Sequence, residues 1–80
     1  MKRRLFNEHL RTVRKRRYSS HVTAAEDMGL SRDALGNYER GDCLPNVTAL
    51  LLMCKALNVS PNELLMPDGN WVKPYRRRTP

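Results

Sequence analysis

The sequence has few of the residues from which deep clefts, disulfide frameworks and membrane spans are built. Only 6% of its 80 residues are aromatic, and it has just two cysteines. Cys43 and Cys54 belong to no CxxC pair and have no His pair nearby, so we expect reduced thiols and no zinc or redox site. The longest apolar run, residues 49–54, is far shorter than the roughly 20 residues of a membrane span. A length of 80 residues allows only one domain. The absences predict that this domain is cytoplasmic, with no cofactor and no membrane contact.

Acidic residues are scarce relative to basic ones: 8 Asp and Glu against 15 Lys and Arg give a formal charge of +7. This excess predicts a polyanionic partner, although charge alone leaves DNA, RNA and an anionic membrane open. The two histidines, His9 and His21, have no matched nucleophile, and the sequence contains no Gly-rich phosphate loop. We therefore expect no catalytic residues and no enzyme. Aromatic platforms like those of sheet-based RNA modules are also missing, which disfavours RNA.

Apolar residues recur with helical spacing in five segments. Phe6, Leu10 and Val13 predict an amphipathic helix over about residues 4–17. The other four predicted helices have recognisable ends: 21–28 between Ser20 and Gly29, 32–39 between Ser31 and Gly41, a fourth between Asn46 and Asn58, and a short fifth after Ser60 with Pro61 and Glu63 in its first turn. The pattern predicts an all-α fold.

The fourth and fifth predicted helices supply further apolar residues. The expected buried stripe of the fourth consists of Val47, Leu50, Leu51, Cys54 and Leu57, and the fifth should carry Leu64 and Leu65 into the core. Leu52 and Met53 extend this surface beyond one core face, so Leu52, with Pro61 and Leu64 nearby, is a candidate dimer contact.

The composition changes after residue 66. Residues 67–80 contain three prolines and the arginine run 76–78, which predicts an extended or flexible basic tail. We therefore expect a domain over residues 1–66, followed by this tail.

Residues 20–41 resemble the helix-turn-helix of the Cro and lambdoid-repressor (XRE-type) family. Ala25 is the small residue where two helices touch, and Gly29 tolerates the positive φ of the turn. Leu30, Leu35 and Tyr38 fit the positions that hold the second helix on the core. The resemblance extends over about residues 10–65 and implies a compact five-helix lambda-repressor-like domain that binds double-stranded DNA.

By this resemblance, the helix beginning at Arg32 would lie in the major groove, with Arg32, Asp33 and Asn37 reading bases. Arginine can donate two hydrogen bonds to guanine, and asparagine can pair bidentately with adenine. Asp33 could either accept from cytosine or orient Arg32 at the helix start.

The resemblance also implies contacts to the DNA backbone and an internal ion pair. Ser20, His21, Ser31 and Arg17 are the candidate backbone contacts. His21 stands where the family usually has glutamine, so it either donates to phosphate or is an ordinary surface residue. Arg14 and Glu39 align with an inward-facing pair that joins the first helix to the recognition helix. Asp42 stands where relatives often have a basic residue, which puts a phosphate contact there in doubt.

The leading functional hypothesis is a transcriptional repressor that binds an inverted-repeat operator as a homodimer. One alternative is an antitoxin whose tail, with Trp71 and Tyr75, also binds a toxin. Another is an activator of the restriction-modification controller type. If Trp71 folds back on the domain, the tail completes the core, whereas an exposed Trp71 is available to a protein partner.

Overall fold

The computed structural model describes residues 5–73, and this part of the chain contains five α-helices. They are α1 (Phe6–Arg17), α2 (His21–Met28), α3 (Arg32–Arg40), α4 (Val47–Leu57) and α5 (Pro61–Leu65). The all-α prediction is confirmed. Tyr75 and the arginine run 76–78 lie outside the described residues. No helix within residues 5–73 is long and apolar enough to cross a membrane.

Helix ends lie where the sequence carries capping residues. The hydroxyl of Ser31 accepts from the backbone N–H of Ala34 at 3.0 Å, and Ser20, Asn46 and Ser60 accept in the same way at the starts of α2, α4 and α5. Such contacts satisfy N–H groups that have no partner inside the helix. Local chemistry therefore fixes where four of these helices begin.

The cap of α4 gives a first measurable consequence. The Asn46 Oδ1 atom accepts from the Ala49 N–H at 2.8 Å. Asn46→Ala is expected to lower the free energy of unfolding by about 1 kcal/mol, because it leaves that N–H without its partner. Urea unfolding measures the change, and Asn46→Ser, which can still cap, is the matched control. A difference of less than about 0.3 kcal/mol between the two variants would contradict the assignment.

All five helices contribute to one apolar core. Its members are Phe6, Leu10, Val13, Ala24, Ala25, Met28, Leu35, Met53, Cys54, Leu57 and Leu64. Helices α1 and α2 pack on α3 from one side, while α4 and α5 pack on each other and on α1. The recognition-helix candidate α3 is thus held by two neighbours, which leaves its other face at the surface.

The predicted buried stripe of α4 is wrong at two positions. Val47 and Leu51 are 72% and 55% exposed, whereas Met53, expected beyond the stripe, is fully buried. The buried face consists of Ala49, Met53, Cys54 and Leu57. Residues 49–54 are all apolar, so periodicity could not select a face. The packing of α2 and α5 against α4 selects it instead.

The expectation that Leu64 contacts a second copy is also wrong, because its side chain is fully buried in the core of its own chain. Pro61 and Leu52 remain at the surface. Leu64 is on the inward side of a helix of only five residues, and α1 and α4 cover that side.

The chain after α5 returns towards α1. The Val72 N–H donates to the Leu65 carbonyl at 2.8 Å, and the Phe6 N–H donates to the Lys73 carbonyl at 2.8 Å. Trp71 lines an apolar cleft with Phe6 and Leu44, yet 59% of its surface remains exposed. The expected domain limit at residue 66 remains a prediction.

Candidate nucleic-acid interface

Helices α2 and α3 meet at a tight corner made by residues 29–31. Gly29 adopts a left-handed conformation with φ of 74°, and the Leu30 N–H donates to the Ala25 carbonyl at 2.9 Å. Ala25 is buried where the helices approach, so a larger side chain there would separate them. The corner directs α3 across α2 and leaves one side of α3 uncovered.

The uncovered side of α3 carries the three residues that the sequence indicated for base readout. Arg32 and Asp33 are exposed in the first turn, and Asn37 is half-buried about one turn later. Asp33 and Asn37 are four residues apart, so they are neighbours on the helix surface, and Arg32 precedes them at the amino-terminal end. Together they offer a guanidinium, a carboxylate and an amide, which are the groups that distinguish base edges in a major groove.

His21 joins the start of α2 to the start of α3. Its Nε2 atom lies 3.1 Å from the Arg32 carbonyl oxygen. A carbonyl only accepts, so Nε2 carries the proton in this contact. His21 thus helps to position the first turn of α3, a role that the sequence analysis did not assign to it.

The other candidate backbone-contact residues lie around the same corner. The Ser20 and Ser31 hydroxyls accept from backbone N–H groups, so each retains its own proton for donation. Arg17 is exposed at the end of α1.

Arg14 and Glu39 form a bidentate ion pair inside the domain. Arg14 Nε donates to Glu39 Oε2 at 2.9 Å, and Arg14 Nη2 donates to Glu39 Oε1 at 3.0 Å. Their side chains are 8% and 4% exposed. Hydrogen bonding from Arg14 to the Glu39 carboxylate raises the pKa of Arg14, against the lowering effect of burial. The pair fixes the end of α3 to α1.

Arg40, the last residue of α3, was not among the residues that the sequence indicated. Its Nε donates to Asp42 Oδ2 at 3.0 Å, and its Nη2 donates to Asn37 Oδ1. The spacing of three residues between Asn37 and Arg40 was the available signal, because such positions are neighbours on a helix. Asp42, noted as a departure from the family, contacts this arginine.

The described residues contain no group of three or more His, Cys, Asp or Glu side chains that could hold a metal ion. Cys43 is exposed and Cys54 is buried, and neither forms a disulfide. Burial raises the pKa of the Cys54 thiol. A buried thiol of this kind behaves as a small apolar side chain.

Helices α2 and α3 form a helix-turn-helix: α2 is capped by Ser20, the chain turns at the left-handed Gly29, and α3 has an uncovered polar face. Residues 6–65 match the family described as helix-turn-helix domain, and the chain belongs to that family. It is similar to repressor protein C2 of Salmonella phage P22, with 34% identity over 68 residues. The match covers 85% of this chain and 32% of the phage protein, so the chain spans about a third of that relative's length.

Solved structures show the same similarity. The P22 c2 repressor crystallised with a synthetic operator has a TM-score of 0.74 and 34% identity, covering 81% of this chain and 98% of that chain. The solution structure of the P22 c2 DNA-binding domain has a TM-score of 0.77 and 33% identity, and the match covers 88% of this chain and 92% of that chain. The restriction-modification controller C.AhdI from Aeromonas hydrophila has a TM-score of 0.70 and 34% identity, and the match covers 74% of this chain and 89% of that chain. The resemblance to lambdoid repressors is confirmed.

Proposed function

We propose that this chain is a transcriptional regulator that reads double-stranded DNA by placing α3 in the major groove, and that it represses by occupying a promoter. The observation that carries the proposal is the uncovered face of α3, which presents Arg32, Asp33 and Asn37 on a chain of formal charge +7. The similarity to a repressor crystallised with its operator supports it. Such a regulator acts on DNA in the cytoplasm.

Each residue of this face has a defined role in the proposal. Arg32 donates to guanine, and Asn37 pairs with adenine through its amide. Asp33 either accepts from cytosine or stabilises the positive end of α3 while orienting Arg32.

The DNA backbone is held at the starts of the two helices and by Arg17. The hydroxyls of Ser20 and Ser31 donate to phosphate oxygens. His21 uses Nε2 for the Arg32 carbonyl, so its contact with phosphate is made by its backbone N–H, which lies at the positive end of α2.

Selection of bound duplexes from a random DNA pool tests this function. At an ionic strength of about 0.15 M we expect enrichment of one inverted-repeat sequence. Folded protein that retains no preferred sequence would contradict the proposal, because phosphate contacts alone give binding without sequence preference.

A homodimer is part of the proposal, and the outer face of α4 is its candidate contact. Val47, Leu51 and Leu52 expose apolar side chains there, and a two-fold contact would cover the same patch on both copies. Pro61 remains a second candidate contact at the start of α5.

Sedimentation equilibrium without DNA checks the dimer. We expect Leu51→Ser to weaken self-association about tenfold or more, because full burial of a leucine contributes roughly 1.5–3 kcal/mol and a two-fold contact loses this side chain on both copies. Val22→Ser, which removes an exposed apolar side chain from α2, is the matched control and should leave self-association unchanged. A purely monomeric wild-type protein at high concentration would contradict the dimer.

A controller-type activator is the second candidate, favoured by the similarity to C.AhdI. A promoter–reporter assay separates the two, since a repressor lowers and an activator raises transcription from the selected site. The antitoxin alternative is supported only by the exposure of Trp71, which leaves this side chain accessible to a protein partner.

A further inference from the structure

The uncovered face of α3 contains a glycine, Gly36, in the middle of the helix. An interior glycine costs a helix about 1 kcal/mol relative to alanine. Gly36 is nevertheless buried, because Arg40 and His21 lie over it: a Cβ atom at Gly36 would be 3.0 Å from Arg40 Nη1 and 3.4 Å from His21 Cε1. The missing side chain gives the Arg40 guanidinium room to lie against the helix.

Arg40 is held at both ends of its guanidinium. Nε donates to Asp42 Oδ2, and Nη2 donates to Asn37 Oδ1. We call this arrangement of Asp42, Arg40 and Asn37 the Arg40 bridge. It connects the loop after α3 to a residue that the proposed function places against a base.

The Arg40 bridge restricts the side-chain amide of Asn37. An asparagine amide has two orientations that exchange its oxygen and nitrogen. A guanidinium only donates, so its hydrogen bond selects the orientation in which Oδ1 faces Arg40 and Nδ2 is turned away. A bidentate pair with a base needs the donor and acceptor in a fixed order. Arg40 therefore sets the order in which Asn37 presents them.

The bridge contributes little to the stability of the fold. The side chains of Arg40 and Asp42 are 57% and 35% exposed, and exposed ion pairs contribute at most about 1 kcal/mol. A change in base preference after removing Arg40 can therefore be measured on folded protein.

We propose that Arg40, anchored by Asp42 and accommodated by Gly36, is a positioning residue for sequence recognition: it fixes the Asn37 amide and narrows the choice of base at the position that Asn37 reads. This inference rests on the proposed function, because it takes Asn37 as a base-reading residue. The competing role for Arg40 is an ordinary phosphate contact, which would add affinity for every sequence equally.

The test compares four duplexes that carry each base pair at the position whose preference Asn37→Ala relaxes. Arg40→Met removes the guanidinium but keeps an unbranched side chain, and Lys15→Met removes one exposed positive charge from α1 as the matched control. We expect Arg40→Met to reduce discrimination among the four duplexes about fivefold. Lys15→Met should change only the affinity common to all four.

Two further variants test whether the loss of base discrimination comes from the Asn37 contact and not from a change in charge or stability. Gly36→Ala keeps Arg40 and improves helix propensity, and its Cβ forces Arg40 Nη1 to shift by a few tenths of an ångström. We therefore expect a smaller loss of discrimination at the same position than Arg40→Met causes, without loss of stability. In an Asn37→Ala background, Arg40→Met should cause no further loss of discrimination.

Two outcomes would overturn the inference. If Arg40→Met weakens all four duplexes equally and leaves discrimination within about twofold, Arg40 is a phosphate contact and the proposed function still stands. If the wild-type protein itself prefers none of a random pool of duplexes, the proposed function fails and this inference fails with it.

Discussion

Replacing Glu39 with glutamine is expected to lower the free energy of unfolding by about 3–5 kcal/mol. The Arg14 guanidinium, buried with an 8% exposed side chain, would keep its charge and lose its carboxylate partner. Arg14→Met should also be destabilising but should cost less, because Arg11 Nε remains 3.8 Å from Glu39 Oε1 as a second positive charge. Total stability of a small domain is only about 5–15 kcal/mol, so urea midpoints should fall sharply.

Two controls separate this effect from general damage. The double variant Arg14→Met/Glu39→Leu should be closer to the wild type than the sum of the single variants, because the remaining charge of Arg11 is half exposed and no buried charge is left without a partner. Arg40→Met breaks an exposed ion pair and should cost no more than about 1 kcal/mol. Single variants at Arg14 and Glu39 that each cost less than 1 kcal/mol would contradict a structural role for the pair.

Arg32→Ala and Asn37→Ala are each expected to lower affinity for the selected operator about 5- to 150-fold for each half-site, which corresponds to 1–3 kcal/mol per lost contact. Each variant should also relax the preference at one base pair of each half-site, because the lost group contacts one base edge there. Titration of the selected duplex and its single-base variants measures both quantities.

Arg17→Ala is the control for these two variants. A lost phosphate contact should weaken binding to every duplex alike. The slope of log K against log salt concentration should become shallower by about 0.9 for each of the two Arg17 contacts in a dimer. If Arg32→Ala and Asn37→Ala behave like Arg17→Ala, with uniform losses and unchanged base preferences, α3 does not read sequence.

Much of the fold could be predicted from the sequence because helix ends depend on local chemistry. Ser20, Ser31 and Ser60 cap helices where the sequence indicated, and Gly29 and Gly41 end them with positive φ. The buried face of α4 could not be fully predicted, because apolar residues occur on all sides of α4 itself. Tertiary packing decides which of them are covered.

The site was predictable to the level of helix position but not of side-chain contact. Helical spacing makes Asp33 and Asn37 neighbours on the surface of α3, and Arg32 lies at the start of the same helix. The hydrogen bonds of His21 with the Arg32 carbonyl and of Arg40 with Asn37 depend on side-chain rotamers and on the space above Gly36. Those features follow from packing in three dimensions, which periodicity and capping signals do not encode.

The central claim is that α3 reads base edges in the major groove, and purine analogues test it most directly. In 7-deazapurine duplexes a carbon replaces N7, the major-groove acceptor, while base pairing is retained. We expect such substitutions across the selected site to weaken wild-type binding about fivefold or more per contacted purine. A single 7-deazapurine at the base that Arg32 contacts should cause no further loss of affinity in Arg32→Ala. The same holds for Asn37→Ala and the base that Asn37 contacts. Equal binding of the fully substituted and natural duplexes would contradict readout through the major groove.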